Sequence, residues 1–218
     1  MNLQGKIIHV LGDSITEGAG CDPVSARFTE VLQQMYGCAR VNNYGVSGSR
    51  IARIHPMTNE RCDRDFCMRA REMSPDADAV VVFGGTNDYG HGNIPFGTMG
   101  DTTPDTFLGA CHDLMTWLLR TYPGKPILFL TPLHRVNEDN PLGDGSKTTP
   151  CPPLSAYREG LMQAALIHSI PVLDLYATSG IDATNPVILE KLMPDGLHPN
   201  AAGHAILARR IGEALKLL

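Results

Sequence analysis

A serine, an aspartate and a histidine in this sequence have the types and spacing needed for nucleophilic catalysis. Ser14 directly follows a short apolar run, and His198 follows Asp195 by three residues in the segment Asp-Gly-Leu-His-Pro. On one turn, roughly 5–6 Å between Cβ atoms, the carboxylate can accept the Nδ1 proton and leave Nε2 to take a proton from a serine hydroxyl. The three residues therefore predict acyl transfer, with Ser14 as nucleophile, His198 as base and Asp195 as its orienting acid.

Two further segments offer hydrogen-bond donors for a developing oxyanion. The segment Asn-Tyr-Gly-Val-Ser-Gly-Ser contains Gly45 and Gly48, and Gly-Gly-Thr-Asn-Asp contains Asn87. Taken singly each signal is weak, because turn serines commonly cap helices, glycines serve turns with positive φ, and turn asparagines often bond their own backbone. Together, the N–H groups of Ser14 and Gly48 and the side chain of Asn87 predict an oxyanion hole.

These motifs need elements that bring them together, and the sequence alternates apolar runs with amphipathic segments. The predicted strands are Lys6–Leu11, Arg40–Tyr44, Ala79–Phe83, Pro126–Thr131 and Ile170–Leu175. The predicted helices are Ala26–Tyr36, Thr106–Thr121, Leu154–His168 and Ala201–Leu217. This alternation predicts a doubly wound parallel sheet, in which ligands bind at the carboxyl ends of the strands.

With these motifs in this order, the sequence resembles the GDSL-type, or SGNH, hydrolases. The four letters of the second name correspond to Ser14, Gly48, Asn87 and His198, and Gly48 is preferred over Gly45 because it follows a small residue, as in the family pattern. Ile15 replaces the leucine of the name-giving motif, which is a common apolar variation. The resemblance implies one domain over residues 1–218, folded as a flavodoxin-like three-layer α/β/α sandwich with a five-stranded parallel sheet. The Gly-x-Ser-x-Gly motif of α/β-hydrolases is missing.

The resemblance also implies hydrolysis of carboxylic esters through an acyl-enzyme, but the family spans several substrates. The loops Gly90–Asp105 and His134–Pro153 should shape the pocket, and both are polar, which favours short acyl groups such as acetyl on a carbohydrate or small molecule. His91 and His134 are candidate pocket residues, although a lone histidine is more often structural.

Two alternatives remain open from the sequence. One is a lysophospholipase or thioesterase of the same family. The other is a non-catalytic flavodoxin-like module that binds an anion or flavin at the Gly12–Gly18 loop. The Asp195/His198 pair argues against the second alternative, because anion binding does not require it.

The composition is typical of a soluble globular protein. The 218 residues include 18 Lys+Arg and 23 Asp+Glu, a formal net charge of −5, and 43% are hydrophobic. The acidic balance argues against nucleic-acid binding. We expect a small-molecule ester as the partner, with no nucleic acid, no membrane, and no metal or other cofactor. A monomer and a homo-oligomer are both compatible with the sequence.

Two features bear on the compartment. The N-terminus lacks the basic start and apolar core of a secretory signal, and no window approaches the ~20 apolar residues of a membrane span, so we expect a cytoplasmic protein. The six cysteines are scattered, and a chain of this size does not need disulfides to fold. Reduced, mostly buried thiols are therefore expected.

Residues 50–71 contain an unusual concentration of arginines: Arg50, Arg53, Arg61, Arg64, Arg69 and Arg71. Acidic residues are interleaved with them, so we interpret this Arg-rich segment as a solvated helix face with ion pairs three or four residues apart. An anion-binding or interface patch near the site is the alternative interpretation.

Overall fold

Five parallel strands form one sheet in the computed structural model, which describes residues 1–218. The strands are β1 (Ile7–Gly12), β2 (Arg40–Gly45), β3 (Ala79–Phe83), β4 (Ile127–Leu130) and β5 (Val172–Leu173). Their order across the sheet is β2-β1-β3-β4-β5, and every neighbouring pair is parallel. This is the flavodoxin-like strand order, so the predicted fold class is confirmed.

Nine α-helices surround the sheet. They are α1 (Ser14–Glu17), α2 (Phe28–Tyr36), α3 (Phe66–Ala70), α4 (Thr86–Gly90), α5 (Phe107–Thr121), α6 (Leu154–Ile167), α7 (Leu175–Thr178), α8 (Pro186–Leu192) and α9 (Ala201–Lys216). The four predicted helices correspond to α2, α5, α6 and α9 and are confirmed. None of the nine has both the length and the apolar character needed to span a bilayer.

The two faces of the sheet are covered by separate apolar cores. Alternation along β3 shows this directly, because Val80 and Val82 contact one core while Val81 and Phe83 contact the other. The first core includes buried residues of α5 and α6, and the second includes buried residues of α2 and α9. The protein is therefore a three-layer α/β/α sandwich, and its strand ends are left open to a ligand at one edge.

The loop that spans residues 134–153 lies against α4. The N–H of Asp144 donates to the carbonyl of Gly90 (2.8 Å), and the buried Lys147 ammonium donates to the carbonyls of Asp88 (2.9 Å) and Gly92 (2.7 Å). A Cβ on Gly143 would lie 2.3 Å from the Gly90 carbonyl oxygen. These hydrogen bonds therefore attach the loop to α4, which follows the end of β3.

The predicted helical face of the Arg-rich segment is wrong. Within residues 50–71 only α3 is helical, and Arg50 and Arg69 are buried, with 3% and 7% of their surface exposed. Arg50 pairs with Asp63, thirteen residues away, and Arg61 pairs with Glu17 from another part of the chain. These ion pairs stabilise an irregular segment and do not lie along the exposed face of a helix.

The six cysteines are free thiols. Cys21, Cys38, Cys67 and Cys111 are buried, and burial raises the pKa of each of these four thiols. The predicted burial of most cysteines is confirmed.

Candidate active site

The ends of the first three strands bring the sequence motifs to one edge of the sheet. Gly12 at the end of β1 is in register with Gly45 of β2 and with Phe83 of β3. The side chain of Asp13 then accepts a hydrogen bond from the N–H of Ile15 (3.0 Å) and caps α1, so that Ser14 begins the helix. The three adjacent strand ends thus place Ser14 and the segments after β2 and β3 around one space.

Ser14, His198 and Asp195 form a continuous chain of hydrogen bonds. The Oγ of Ser14 lies 2.9 Å from Nε2 of His198, and Nδ1 of His198 lies 2.7 Å from Oδ2 of Asp195. The other carboxylate oxygen accepts the N–H groups of Leu197 (2.9 Å) and His198 (2.7 Å). Partial burial raises the pKa of Asp195, but these hydrogen bonds outweigh it and lower the pKa overall. An ionised Asp195 therefore orients the His198 ring toward Ser14.

The turn that carries His198 is fixed from both sides. The side chain of Asn200 caps α9 by accepting the N–H groups of Ala202 (3.1 Å) and Gly203 (3.2 Å). On the opposite side Gly20 has φ +79°, and a Cβ at this position would lie 2.7 Å from the Cβ of His198. Gly20 is a site residue that sequence reasoning missed, because nothing local to it indicates contact with the far end of the chain.

Three hydrogen-bond donors lie beside Ser14, as predicted. The N–H groups of Ser14 and Gly48 have no acceptor within the chain, and Gly48 is in the left-handed region, with φ +76°. The side-chain amide of Asn87 donates to the carbonyl of Ser49 (2.9 Å), which uses one of its two hydrogens. Ser14, Gly48 and Asn87 all line one cavity, so their donors can point at a single negatively charged oxygen placed there.

The segment around Gly48 is held by three charged side chains that the sequence did not reveal. The carboxylate of Glu17 accepts both the N–H (2.7 Å) and the hydroxyl (2.5 Å) of Ser47. Partial burial raises the pKa of Glu17, but the hydrogen bonds from Ser47 and the charge of Arg61 outweigh the burial and lower the pKa overall. Glu17 is therefore ionised and fixes Ser47, the residue before Gly48.

Asp88 and Arg69 also form hydrogen bonds that hold the segment around Gly48. Asp88 is buried and accepts the N–H groups of Ile51 (3.0 Å) and Ala52 (2.9 Å). The guanidinium of Arg69 donates to the carbonyls of Gly12 (3.0 Å) and Tyr44 (2.6 Å) and to the hydroxyl of Ser49. The buried Arg69 side chain thus links the ends of β1 and β2 to Ser49, next to Gly48.

A cavity of about 260 Å³ opens over Ser14. Its walls are Ser14, Ala19, Ser47, Gly48, Asn87, His91, Arg135, Asp144, Leu197 and His198. His91 therefore lies where it was predicted. His134 does not line this cavity, which corrects its assignment as a pocket residue: its Nδ1 lies 2.9 Å from a carboxylate oxygen of Glu138, and its ring packs 3.6 Å from that of Tyr176. The next residue, Arg135, lines the cavity instead.

A larger cavity, of about 760 Å³, lies beside α7 and α9. Its lining includes Ser179 and Arg209 but no histidine, and so it has no pair of nucleophile and base. The chemistry of the lining, and not the volume, identifies the smaller cavity as the candidate active site.

A flavodoxin-like sandwich with a serine, a histidine and an aspartate hydrogen-bonded at its strand ends is typical of the GDSL-type class of hydrolases. The chain belongs to the GDSL-like lipase/acylhydrolase family, whose model matches residues 10–206. No curated protein matches the chain.

Solved structures support the same fold over nearly the whole chain. A Lactobacillus plantarum protein is 30% identical with a TM-score of 0.83, and the match covers 98% of each chain. An acetylxylan esterase from Geobacillus stearothermophilus is 23% identical with a TM-score of 0.63, covering 99% of this chain and 96% of the other. A carbohydrate acetylesterase family member from Sinorhizobium meliloti is 19% identical with a TM-score of 0.63, covering 97% and 98%.

Proposed function

We propose that the protein is a serine esterase that hydrolyses carboxylic esters through an acyl-enzyme. The observation that carries the proposal is the chain from Ser14 through His198 to Asp195, with contacts of 2.9 Å and 2.7 Å. In the first step the Ser14 oxygen attacks the ester carbonyl carbon while its proton passes to Nε2 of His198. The ionised Asp195 stabilises the imidazolium that forms.

The tetrahedral intermediate then collapses, and His198 returns the proton to the departing alcohol. The negative oxygen that forms when Ser14 attacks is held, until this collapse, by the N–H groups of Ser14 and Gly48 and by the free hydrogen of the Asn87 amide. Water, activated by His198, attacks the acyl-enzyme and releases the carboxylic acid. The same donors hold the oxyanion of the second step.

Among esters, we propose short acyl groups such as acetyl on a carbohydrate or small molecule. The cavity of about 260 Å³ is smaller than the usual 300–1,000 Å³ of ligand pockets. Its apolar lining is limited to Ala19 and Leu197, whereas Arg135, Asp144 and His91 are polar. A long hydrocarbon chain in this cavity, on either side of the ester, would leave these polar groups facing hydrocarbon. The similarity to two acetylesterases supports the same substrate class.

A fluorophosphonate probe and a series of 4-nitrophenyl esters test the proposal. The probe should label the wild type and the Ser74→Ala control, in which an exposed serine is removed, but not Ser14→Ala. Acetate should be hydrolysed faster than octanoate or palmitate. Faster cleavage of the long esters would overturn the substrate class and favour the lysophospholipase or thioesterase alternative. No labelling together with bound flavin in the purified protein would overturn the esterase.

A further inference from the structure

The polar wall of the cavity contains a hydrogen-bond donor and an acceptor that the triad does not use. We propose that His91 and Asp144 bind one hydroxyl group of the substrate next to the scissile ester, with His91 donating and Asp144 accepting. This inference rests on the proposed esterase function and specifies the leaving group as a polyhydroxylated alcohol such as a sugar.

The tautomer of His91 follows from its contact with Arg50. The Nη1 of Arg50 lies 2.8 Å from Nδ1 of His91. A guanidinium can only donate, so Nδ1 must be the acceptor and the ring hydrogen must lie on Nε2. Burial and then the charge of Arg50 lower the pKa of His91 to about 4. The neutral ring therefore presents Nε2–H at ordinary pH.

Arg50 is itself held rigidly, so the His91 ring is fixed. Its guanidinium pairs with the buried Asp63, whose other oxygen accepts the N–H groups of Thr58 and Asn59 (both 2.8 Å). The Nε2 of His91 has no hydrogen-bond partner in the chain and is not a buried atom. Two members of the Arg-rich segment, Arg50 and Asp63, thus act as positioning residues for a donor on the cavity wall.

Asp144 supplies the acceptor beside it. The N–H of Asp144 donates to the carbonyl of Gly90, the residue before His91, and Asp144 and His91 both line the cavity. One carboxylate oxygen accepts the N–H of Ser146 (3.0 Å), and the other has no partner in the chain. Partial burial raises the pKa of Asp144, but the Ser146 hydrogen bonds and positive charge nearby, including that of Arg135, lower the pKa overall. An ionised oxygen is therefore available.

His91 and Asp144 line the same cavity as Ser14 and Asn87, so a group bound by the pair lies near the reacting ester. His91 lies one helical turn after Asn87, and its N–H donates to the Asn87 carbonyl (3.0 Å). A hydroxyl group has one hydrogen to donate and lone pairs to accept, so it can satisfy both His91 and Asp144 at once. A hydrocarbon group at this place would leave both unpaired and would be discriminated against.

The test compares kcat/KM on two acetates, a monoacetylated methyl xyloside with free hydroxyls and 4-nitrophenyl acetate with none. In Asp144→Asn and His91→Phe we expect the ratio of sugar acetate to 4-nitrophenyl acetate to fall by about tenfold or more. His91→Gln keeps a donor and should restore most of the ratio. Asp139→Asn, which removes an exposed charge from the same loop outside the cavity, should leave the ratio at the wild-type value.

Two results would overturn the inference. One is an unchanged ratio in Asp144→Asn and His91→Phe while the wild type hydrolyses both acetates, which would leave the esterase intact. The other is a hydrogen on Nδ1 of His91 in the ¹⁵N spectrum of the free protein, since we expect it on Nε2. If the wild type hydrolyses neither acetate and Ser14 is not labelled, the proposed function itself fails, and this inference fails with it.

Discussion

The carboxyl group of Asp13 should make the stability of the protein fall as the pH rises. Asp13 is 2% exposed, and burial raises its pKa from 3.8 to about 7. The N–H of Ile15 and the charge of Arg69 act in the opposite direction, but they do not offset the burial. The folded protein therefore keeps a proton on Asp13 at pH values where the unfolded chain has lost it.

The sign and size of the effect follow from this difference. Between about pH 4 and about pH 7 the folded state binds more protons, so the free energy of unfolding decreases with pH by about 1.4 kcal/mol per unit. The contribution of Asp13 is fully present below pH 3.8 and is lost as the pH passes 7. Over the whole window it amounts to about 4 kcal/mol, of which about 3 kcal/mol lies above pH 5.

Asp13→Asn isolates this contribution, because the amide does not titrate and its oxygen can still accept the N–H of Ile15. Urea unfolding should be measured at several pH values between about 5 and about 8. We expect the variant to gain about 3 kcal/mol relative to wild type across that range. Asp22→Asn, at an exposed position, controls for the change in net charge. A difference between Asp13→Asn and wild type that stays constant with pH would refute the reasoning.

Three further predictions concern turnover of 4-nitrophenyl acetate. Asn87→Ala removes one oxyanion donor and should lower kcat by about 10²–10³ with little change in KM; a kcat within a few-fold of wild type would exclude Asn87 from this role. Gly20→Ala places a methyl 2.7 Å from the Cβ of His198 and should lower kcat at least about tenfold. The control Gly124→Ala has a similar φ of +71° but no neighbour within 4 Å, so it should keep the wild-type kcat. Equal kcat values for the two variants would contradict the contact between Gly20 and His198. His198→Ala removes the group that accepts the Ser14 proton and should lower kcat by about 10³ or more, and a rate close to that of wild type would argue against His198 as base.

The sequence was sufficient to place the reactive groups because their signals are local. Ser14 and Asn87 each follow the end of a buried strand, and Asp195 and His198 share one turn. The strand-end rule for parallel sheets then predicts that these groups meet, and the structure brings them together. In physical terms, hydrophobic patterning determines the sheet, and the sheet determines which chain segments converge.

The same rule does not determine which side chain of a segment faces the cavity. His134 and Arg135 follow the same strand, β4, and the sequence favours the histidine because its imidazole can both donate and accept hydrogen bonds. Its ring is instead held by Glu138 and packed on Tyr176, contacts that depend on α7 and on the loop beyond β4. Neighbouring residues in an irregular segment point in different directions, and only tertiary contacts select between them.

The Arg-rich segment shows why a charge pattern needs a known backbone conformation before it can be interpreted. Asp65 lies four residues before Arg69, a spacing that would form an ion pair on a helix. In the structure one Asp65 oxygen caps α3 at the N–H of Met68 (2.7 Å), and the other faces Arg53 at 3.5 Å.

Arg69 is consequently free to reach acceptors that are distant in sequence: the carbonyls of Gly12 and Tyr44 and the hydroxyl of Ser49. Three acceptors from two segments suit the planar fork of a guanidinium and not the single ammonium of a lysine. The same chemistry explains Arg50, which joins Asp63 to His91. These two buried arginines of the Arg-rich segment therefore each fix part of the lining of the candidate active site: Arg69 holds the segment around Gly48, and Arg50 holds the His91 ring.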